Sequence, residues 1–128
     1  MTKVLVIEDE EILRESILNI LETNGFSTIE AGDGRSGVRL AREFVPNVIL
    51  CDVRMPGFDG YEVLKALRQD PVTANIPLLF LTAENMQNVM RQGEQLGANG
   101  YLSKPFTTVQ LLKVIAQGLR DCHGHKRC

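Results

Sequence analysis

Three short, uninterrupted apolar runs constrain this chain more than any other feature: residues 4–7 (Val-Leu-Val-Ile), 48–51 (Val-Ile-Leu-Cys) and 78–81 (Leu-Leu-Phe-Leu). Each run is shorter than a helix and shows no polar alternation, so each reads as a strand covered on both faces. Strands of this kind pair in parallel, and parallel neighbours need long crossover connections. Weaker runs at residues 27–31 and 100–102 supply two further strands. One stretch of helical periodicity separates each strand from the next.

In the first such stretch, Ile12, Leu13, Ile17, Ile20 and Leu21 are expected on one face, with Arg14, Glu15, Asn19 and Glu22 facing outward. Asn24-Gly25 closes it. Val38, Ala41, Phe44 and Val45 mark a second helix, stopped by Pro46. A third carries Val63, Leu64 and Leu67, opening after Asp59-Gly60 and ending near Asp70-Pro71. The fourth, through Met86, Val89, Met90, Gly93 and Leu96, has the fewest strong helix formers and apolar anchors and is expected to be the loosest. Val109, Leu112, Ile115, Ala116 and Leu119 define a fifth, with Thr107 or Thr108 as its N-cap. Five strands alternating with five helices predict one α/β domain, a doubly wound parallel sheet with helices on both faces.

A length of 128 residues suits a single core, with residues 121–128 expected as a short flexible tail. The 14 basic and 16 acidic residues leave a net charge of −2, which gives no overall attraction to nucleic acid or to an anionic membrane. No window approaches the roughly 20 apolar residues of a membrane span, and the residues before the first strand are too few for a signal peptide. A cytoplasmic protein is expected. Cys51 reads as a buried thiol and Cys122 and Cys128 lie near the end, so no disulfide framework is expected.

Ligands of a doubly wound sheet gather at the carboxyl ends of the strands, where the strand order reverses. Here the first strand ends in Glu8-Asp9-Glu10-Glu11, the third in Asp52, the fourth in Thr82-Ala83, and the fifth runs into Ser103-Lys104-Pro105. If the order is 2-1-3-4-5, a common doubly wound order, Glu8 and Asp9 stand directly beside Asp52. Three adjacent carboxylates repel and raise one another's pKa unless a cation holds them. A hard ion such as Mg²⁺ suits a pocket of carboxylates without His or Cys, and Lys104 would add a second positive charge. Taken singly, these residues have plainer uses. Asp9 is as readily a helix N-cap, Asp52 an ordinary turn former, Thr82 a small strand end and Tyr101 an edge aromatic. The coincidence of the acid pair Glu8-Asp9, the lone Asp52, the small hydroxyl of Thr82 and Lys104-Pro105 at four different strand ends favours chemistry.

The set resembles the response-regulator receiver family of two-component signalling, with a flavodoxin-like, chemotaxis-regulator-like fold, over residues 2–120. The paired acids match Glu8 and Asp9, the phosphoacceptor matches Asp52 in Asp-Val-Arg-Met-Pro-Gly, the switch hydroxyl matches Thr82, the switch aromatic Tyr101 and the lysine Lys104. Glu8 departs from the family, in which aspartate is common there, and its longer side chain is expected to reach the metal through water. The resemblance implies Mg²⁺ held by Asp9, Asp52 and the main-chain carbonyl of Arg54. It also implies phosphoryl transfer to Asp52 from a histidine kinase, a phosphotransfer protein or acetyl phosphate. Arg54 and Glu84 are expected to tune the lifetime of the acyl phosphate. Thr82 and Tyr101 would then switch the face made by the fourth helix, fifth strand and fifth helix, acting on a downstream protein, an output domain or a second copy in a phosphorylation-dependent homodimer. On this reading the chain is a signalling domain rather than an enzyme. The resemblance also raises the expectation of a cis Lys104-Pro105 bond.

Other classes fit less well. A metal-dependent phosphatase with an aspartyl nucleophile wants a second acid two residues on, where Arg54 stands. A nucleotide or flavin module wants glycines after the first strand, where four acids stand instead. A degenerate receiver acting only as a binding surface would not need every reactive position filled. The Cys/His tail, Cys122-His123-Gly124-His125-Lys126-Arg127-Cys128, lacks the usual zinc-finger spacing and is a weak zinc candidate.

Overall fold

The computed structural model describes residues 1–83 and 86–125, with side chains described through residue 120. Five strands and five helices alternate among them: β1 (Lys3–Ile7), α1 (Glu11–Thr23), β2 (Ser27–Ala31), α2 (Gly34–Phe44), β3 (Val48–Asp52), α3 (Gly60–Gln69), β4 (Leu78–Thr82), α4 (Met86–Leu96), β5 (Gly100–Ser103) and α5 (Thr108–His125). All strand pairs are parallel, in the order β2-β1-β3-β4-β5. Both the expected architecture and the expected order are therefore present. No helix among the described residues is long and apolar enough to cross a membrane.

Side chains alternate across the pleat, so each central strand feeds two cores. On one face Leu5, Ile7, Ile49, Cys51, Leu78 and Phe80 pack against α2, α3 and α4. On the other, Val4, Val6, Val48, Leu50, Leu79 and Leu81 pack against Ile17, Leu18 and Leu21 of α1 and Leu111, Val114 and Ile115 of α5. This double burial explains why the central strands carry no polar alternation. Cys51 is a fully buried thiol, as expected. Among its apolar positions α4 buries only Val89 and Gly93, fewer than α3 with Gly60, Val63, Leu64 and Leu67.

Two helix faces differ from expectation. Ile12 is 86% exposed and Val109 74% exposed. At 100° per residue Ile12 lies about 140° around the helix from Ile17, on the solvent side, while Leu18 takes the buried place. Arg14 lies only about 60° from Ile17, so it flanks the buried stripe rather than facing outward. In α5 the buried line runs through Leu111, Val114 and Ile115, which turns Val109 to solvent. The N-cap of α5 is Thr107, whose Oγ1 accepts from the Gln110 N–H while the Gln110 side chain accepts from the Thr107 N–H.

Helix α2 ends before Pro46 as expected, but Phe44 and Val45 are half exposed and Val45 is the C-cap rather than part of the buried face. Val45 has φ +45°, a left-handed conformation that a β-branched residue adopts at a cost. Val45→Asn is expected to raise stability by about 1 kcal/mol, since asparagine tolerates this region. Urea unfolding measures it, and a lower midpoint would remove the strain assignment.

Candidate phosphoacceptor site

The parallel register assembles the site. Ile7 pairs with Cys51, so the next residues, Glu8 and Asp52, emerge side by side. Asp52 pairs with Leu81 and Thr82 with Ser103, which puts Thr82 and Lys104 next along the same edge. The Lys104 N–H donates to the Thr82 carbonyl at 2.8 Å, and the following Lys104-Pro105 peptide is cis.

The side chains converge as this register requires. Lys104 Nζ donates to Glu8 Oε1 at 2.9 Å and lies 3.2 Å from Asp52 Oδ1. Carboxylate oxygens of Glu8, Asp9 and Asp52 fall within 4.8 Å of one another. Glu8, Asp52 and Thr82 are buried, and Asp9 and Arg54 are exposed. Behind this edge, Gly60 admits the first turn of α3, since a Cβ there would lie 2.4 Å from the Asp52 carbonyl oxygen. The Gly60 N–H donates to the Val53 carbonyl, and Asp59 closes the helix end through a capping box with Glu62.

Burial pushes the Glu8 carboxyl up to about 7, the Lys104 hydrogen bond opposes this, and the negative charge of Asp52 adds to it. Burial also raises Asp52, against the charge of Lys104. Desolvation pulls Lys104 down, but its hydrogen bond to Glu8 and the charge of Asp52 outweigh that and raise it, so it stays protonated. Folding thus raises the Glu8 pKa above its ordinary 4.5. The native state binds the extra proton, so this stabilisation is complete below pH 4.5 and is lost as pH rises towards 7. Metal-free protein should lose on the order of 1–3 kcal/mol over that window. Unfolding followed from pH 4 to 8 in chelator checks it, and a Glu8→Gln protein should lack that part of the slope.

Tyr101 lies against Phe80 with centroids 6.3 Å apart, and its hydroxyl donates to the Met90 carbonyl of α4 at 3.2 Å. Gly93 makes room for it, since a Cβ there would meet the hydroxyl at 2.7 Å. Among the predicted residues, then, Glu8, Asp9, Asp52 and Lys104 form one cluster, Thr82 ends the adjacent strand, and Tyr101 sits against α4. Glu84 lies outside the described residues, as do Lys126, Arg127 and Cys128 and the side chains of Cys122, His123 and His125.

One residue at this edge was misplaced by sequence reasoning. Arg14 reaches back from α1, with Nη1 donating to the Glu8 carbonyl at 2.9 Å and Nε to Glu30 Oε1 at 3.0 Å. A signal was present in its position one turn before the buried Leu18 and Ile17, but an arginine there reads first as a solvated side chain.

Comparison with known proteins agrees with this fold. Residues 4–116 match the response regulator receiver domain. The chain belongs to that family. Among relatives, the phosphate regulon transcriptional regulatory protein PhoB of Escherichia coli is 36% identical over 118 residues, covering 92% of this chain and 52% of that protein. Protein PilH of Pseudomonas aeruginosa is 33% identical, covering 90% of this chain and 95% of its own length. This receiver therefore spans about half of the PhoB-type relatives and nearly all of PilH. The chemotaxis protein CheY4 of Vibrio cholerae superimposes with TM-score 0.89 at 34% identity, covering 93% of this chain and 99% of CheY4. The receiver domain of sensor histidine kinase PA1611 from P. aeruginosa, solved with a magnesium ion coordinated in its active site cleft, gives TM-score 0.85 at 28% identity, covering 93% of this chain and 98% of that one. The receiver is thus a two-component signalling domain.

Proposed function

We propose that Asp52 accepts a phosphoryl group in a Mg²⁺-dependent reaction and that the added charge switches the surface of α4, β5 and α5. The observation that carries this reading is Lys104 Nζ between Glu8 and Asp52, within reach of both carboxylates. Glu8, Asp9 and Asp52 offer three oxygens in one cluster without His or Cys, a donor set that fits a hard divalent ion. Asp9, Asp52 and the main-chain carbonyl of Arg54 are the proposed ligands, with Glu8 reaching the ion through water. Bound there, Mg²⁺ would neutralise charge on the carboxylates and on the transferring oxygens.

The chain's own residues then have defined tasks. An Asp52 oxygen attacks phosphorus in line with the leaving group, so a P–O bond forms as the donor's bond to phosphorus breaks. With a phosphohistidine donor the electron pair stays on the imidazole nitrogen, and with acetyl phosphate it leaves as acetate. Lys104 offers N–H donors to the phosphoryl oxygens from a position already set by Glu8. Water later cleaves the acyl phosphate, with Arg54 beside its path.

The phosphoryl group adds nearly two negative charges next to the end of β4. The Thr82 hydroxyl turns towards it, and Tyr101 gives up its hydrogen bond to Met90 to fill the vacated space. The partners are a histidine kinase or phosphotransfer protein upstream and, downstream, a protein target, an attached output domain or a second copy. A net charge of −2 gives the receiver itself no electrostatic reason to bind nucleic acid, and its place of action is the cytoplasm.

The reading is tested by incubating the protein with MgCl₂ and acetyl phosphate and weighing the intact chain. Wild type should gain one phosphoryl group, and a wild type left unmodified in Mg²⁺ would sink the proposal. At pH 8, MgCl₂ should also raise the unfolding temperature above that in chelator, reversing the loss caused by Glu8.

A further inference from the structure

Helix α1 starts without the usual anchor. Its N-cap, Glu10, makes no side-chain capping bond, although the Glu8–Glu10 turn carries two of the three clustered acids. Asp and Ser caps pin such turns by accepting from the first N–H groups of the helix. Here the Glu10 N–H is met instead by Glu8 Oε2 at 3.2 Å. Arg14 supplies the other hold. Its side chain is 16% exposed, its Nη1 donates to the Glu8 carbonyl, and its Nε is oriented by Glu30. A Cβ on Gly32 would stand 3.3 Å from Nη1, so the guanidinium lies against the β2–α2 connection as well.

The Glu8 carbonyl belongs to the planar peptide that also contains the nitrogen and Cα of Asp9. A donor that fixes this oxygen therefore fixes the plane from which the Asp9 Cα departs, leaving rotation about its own N–Cα bond as the one backbone freedom that still turns the Asp9 side chain. We infer that Arg14, oriented by Glu30, is a positioning residue that sets Asp9 for the divalent ion. Lys104 holds the Glu8 side chain from the β5 end, and Arg14 holds the Glu8 main chain from the β2 end. Lysine is not equivalent at this position, because one ammonium lacks the planar fork that meets a carbonyl and a carboxylate together.

This inference rests on the proposed Mg²⁺ site. The test titrates MgCl₂ into wild type, Arg14→Gln, Arg14→Lys and Glu30→Gln by calorimetry and measures the unfolding temperature of each with and without the ion. Groups that orient metal ligands are worth about 10–100-fold in affinity, so Arg14→Gln should weaken binding roughly tenfold, with Arg14→Lys between it and wild type. Glu30 is a surface partner, so Glu30→Gln should fold normally and weaken binding only about two- to threefold. The Mg²⁺-induced rise in unfolding temperature should shrink in the same order. A scaffold residue would lower the unfolding temperature equally with and without Mg²⁺ and leave affinity within about twofold of wild type in all three variants. That result would overturn the inference while leaving the metal site intact. Wild type that bound no divalent ion would overturn the metal site and this inference together.

Discussion

Asp52→Asn should take up no phosphoryl group from acetyl phosphate in MgCl₂, with labelling below about 1% of wild type, because a neutral amide is not the nucleophile the transfer needs. The substitution preserves shape, and Asp52 is buried at the end of β3, so the fold should persist. A second readout confirms that the variant changed charge and not structure. The charge of Asp52 helps to raise Glu8, so Glu8 should titrate at a lower pH in the variant. An adduct of wild-type mass on Asp52→Asn would move the acceptor elsewhere.

Gly60→Ala should cost roughly 3 kcal/mol, the upper range of an overpacked core. Its added methyl would lie 2.4 Å from the Asp52 carbonyl oxygen, 2.9 Å from Val53 Cα and 3.0 Å from the Phe80 ring. Two of these neighbours are backbone, which cannot rotate away as a side chain can. The Gly60 N–H also donates to the Val53 carbonyl, so relief by moving α3 outward loosens the segment that carries Asp52. Unfolding in urea should show the loss, and the folded fraction should label more slowly than wild type. A change within about 0.5 kcal/mol would mean that α3 can retreat freely and that the close approach has no structural role.

Both expectations concern one arrangement. The site is made by strand ends that meet through sheet register, and Gly60 lets a helix stand close behind them. Lys104 then links Glu8, just past β1, to Asp52 at the end of β3, so a single cation reaches an acid 96 positions before it in the chain.

Much of this was legible in the amino-acid sequence. Continuous apolar runs at residues 4–7, 48–51 and 78–81 specified strands buried on both faces, because only covered strands can dispense with polar alternation. The acids after the first strand, Asp52 at the end of the third and Lys104 after the fifth followed, since polar residues that close a buried strand must emerge at its end. The order 2-1-3-4-5 was borrowed from similar folds, since strand length and hydropathy do not encode which neighbours pair.

Tertiary structure alone decided the phase of the helices and the meetings between distant side chains. Ile12 and Val109 are apolar yet exposed, because a rotation of the helix sets which residues the sheet covers, and several rotations satisfy a short apolar pattern. Arg14 read as solvated until α1 was laid against β1 and β2, when its guanidinium met a carbonyl six residues back and a carboxylate 16 residues ahead. Composition and periodicity determine what a segment buries, whereas hydrogen bonds between separate segments depend on distances that exist only once the sheet has formed.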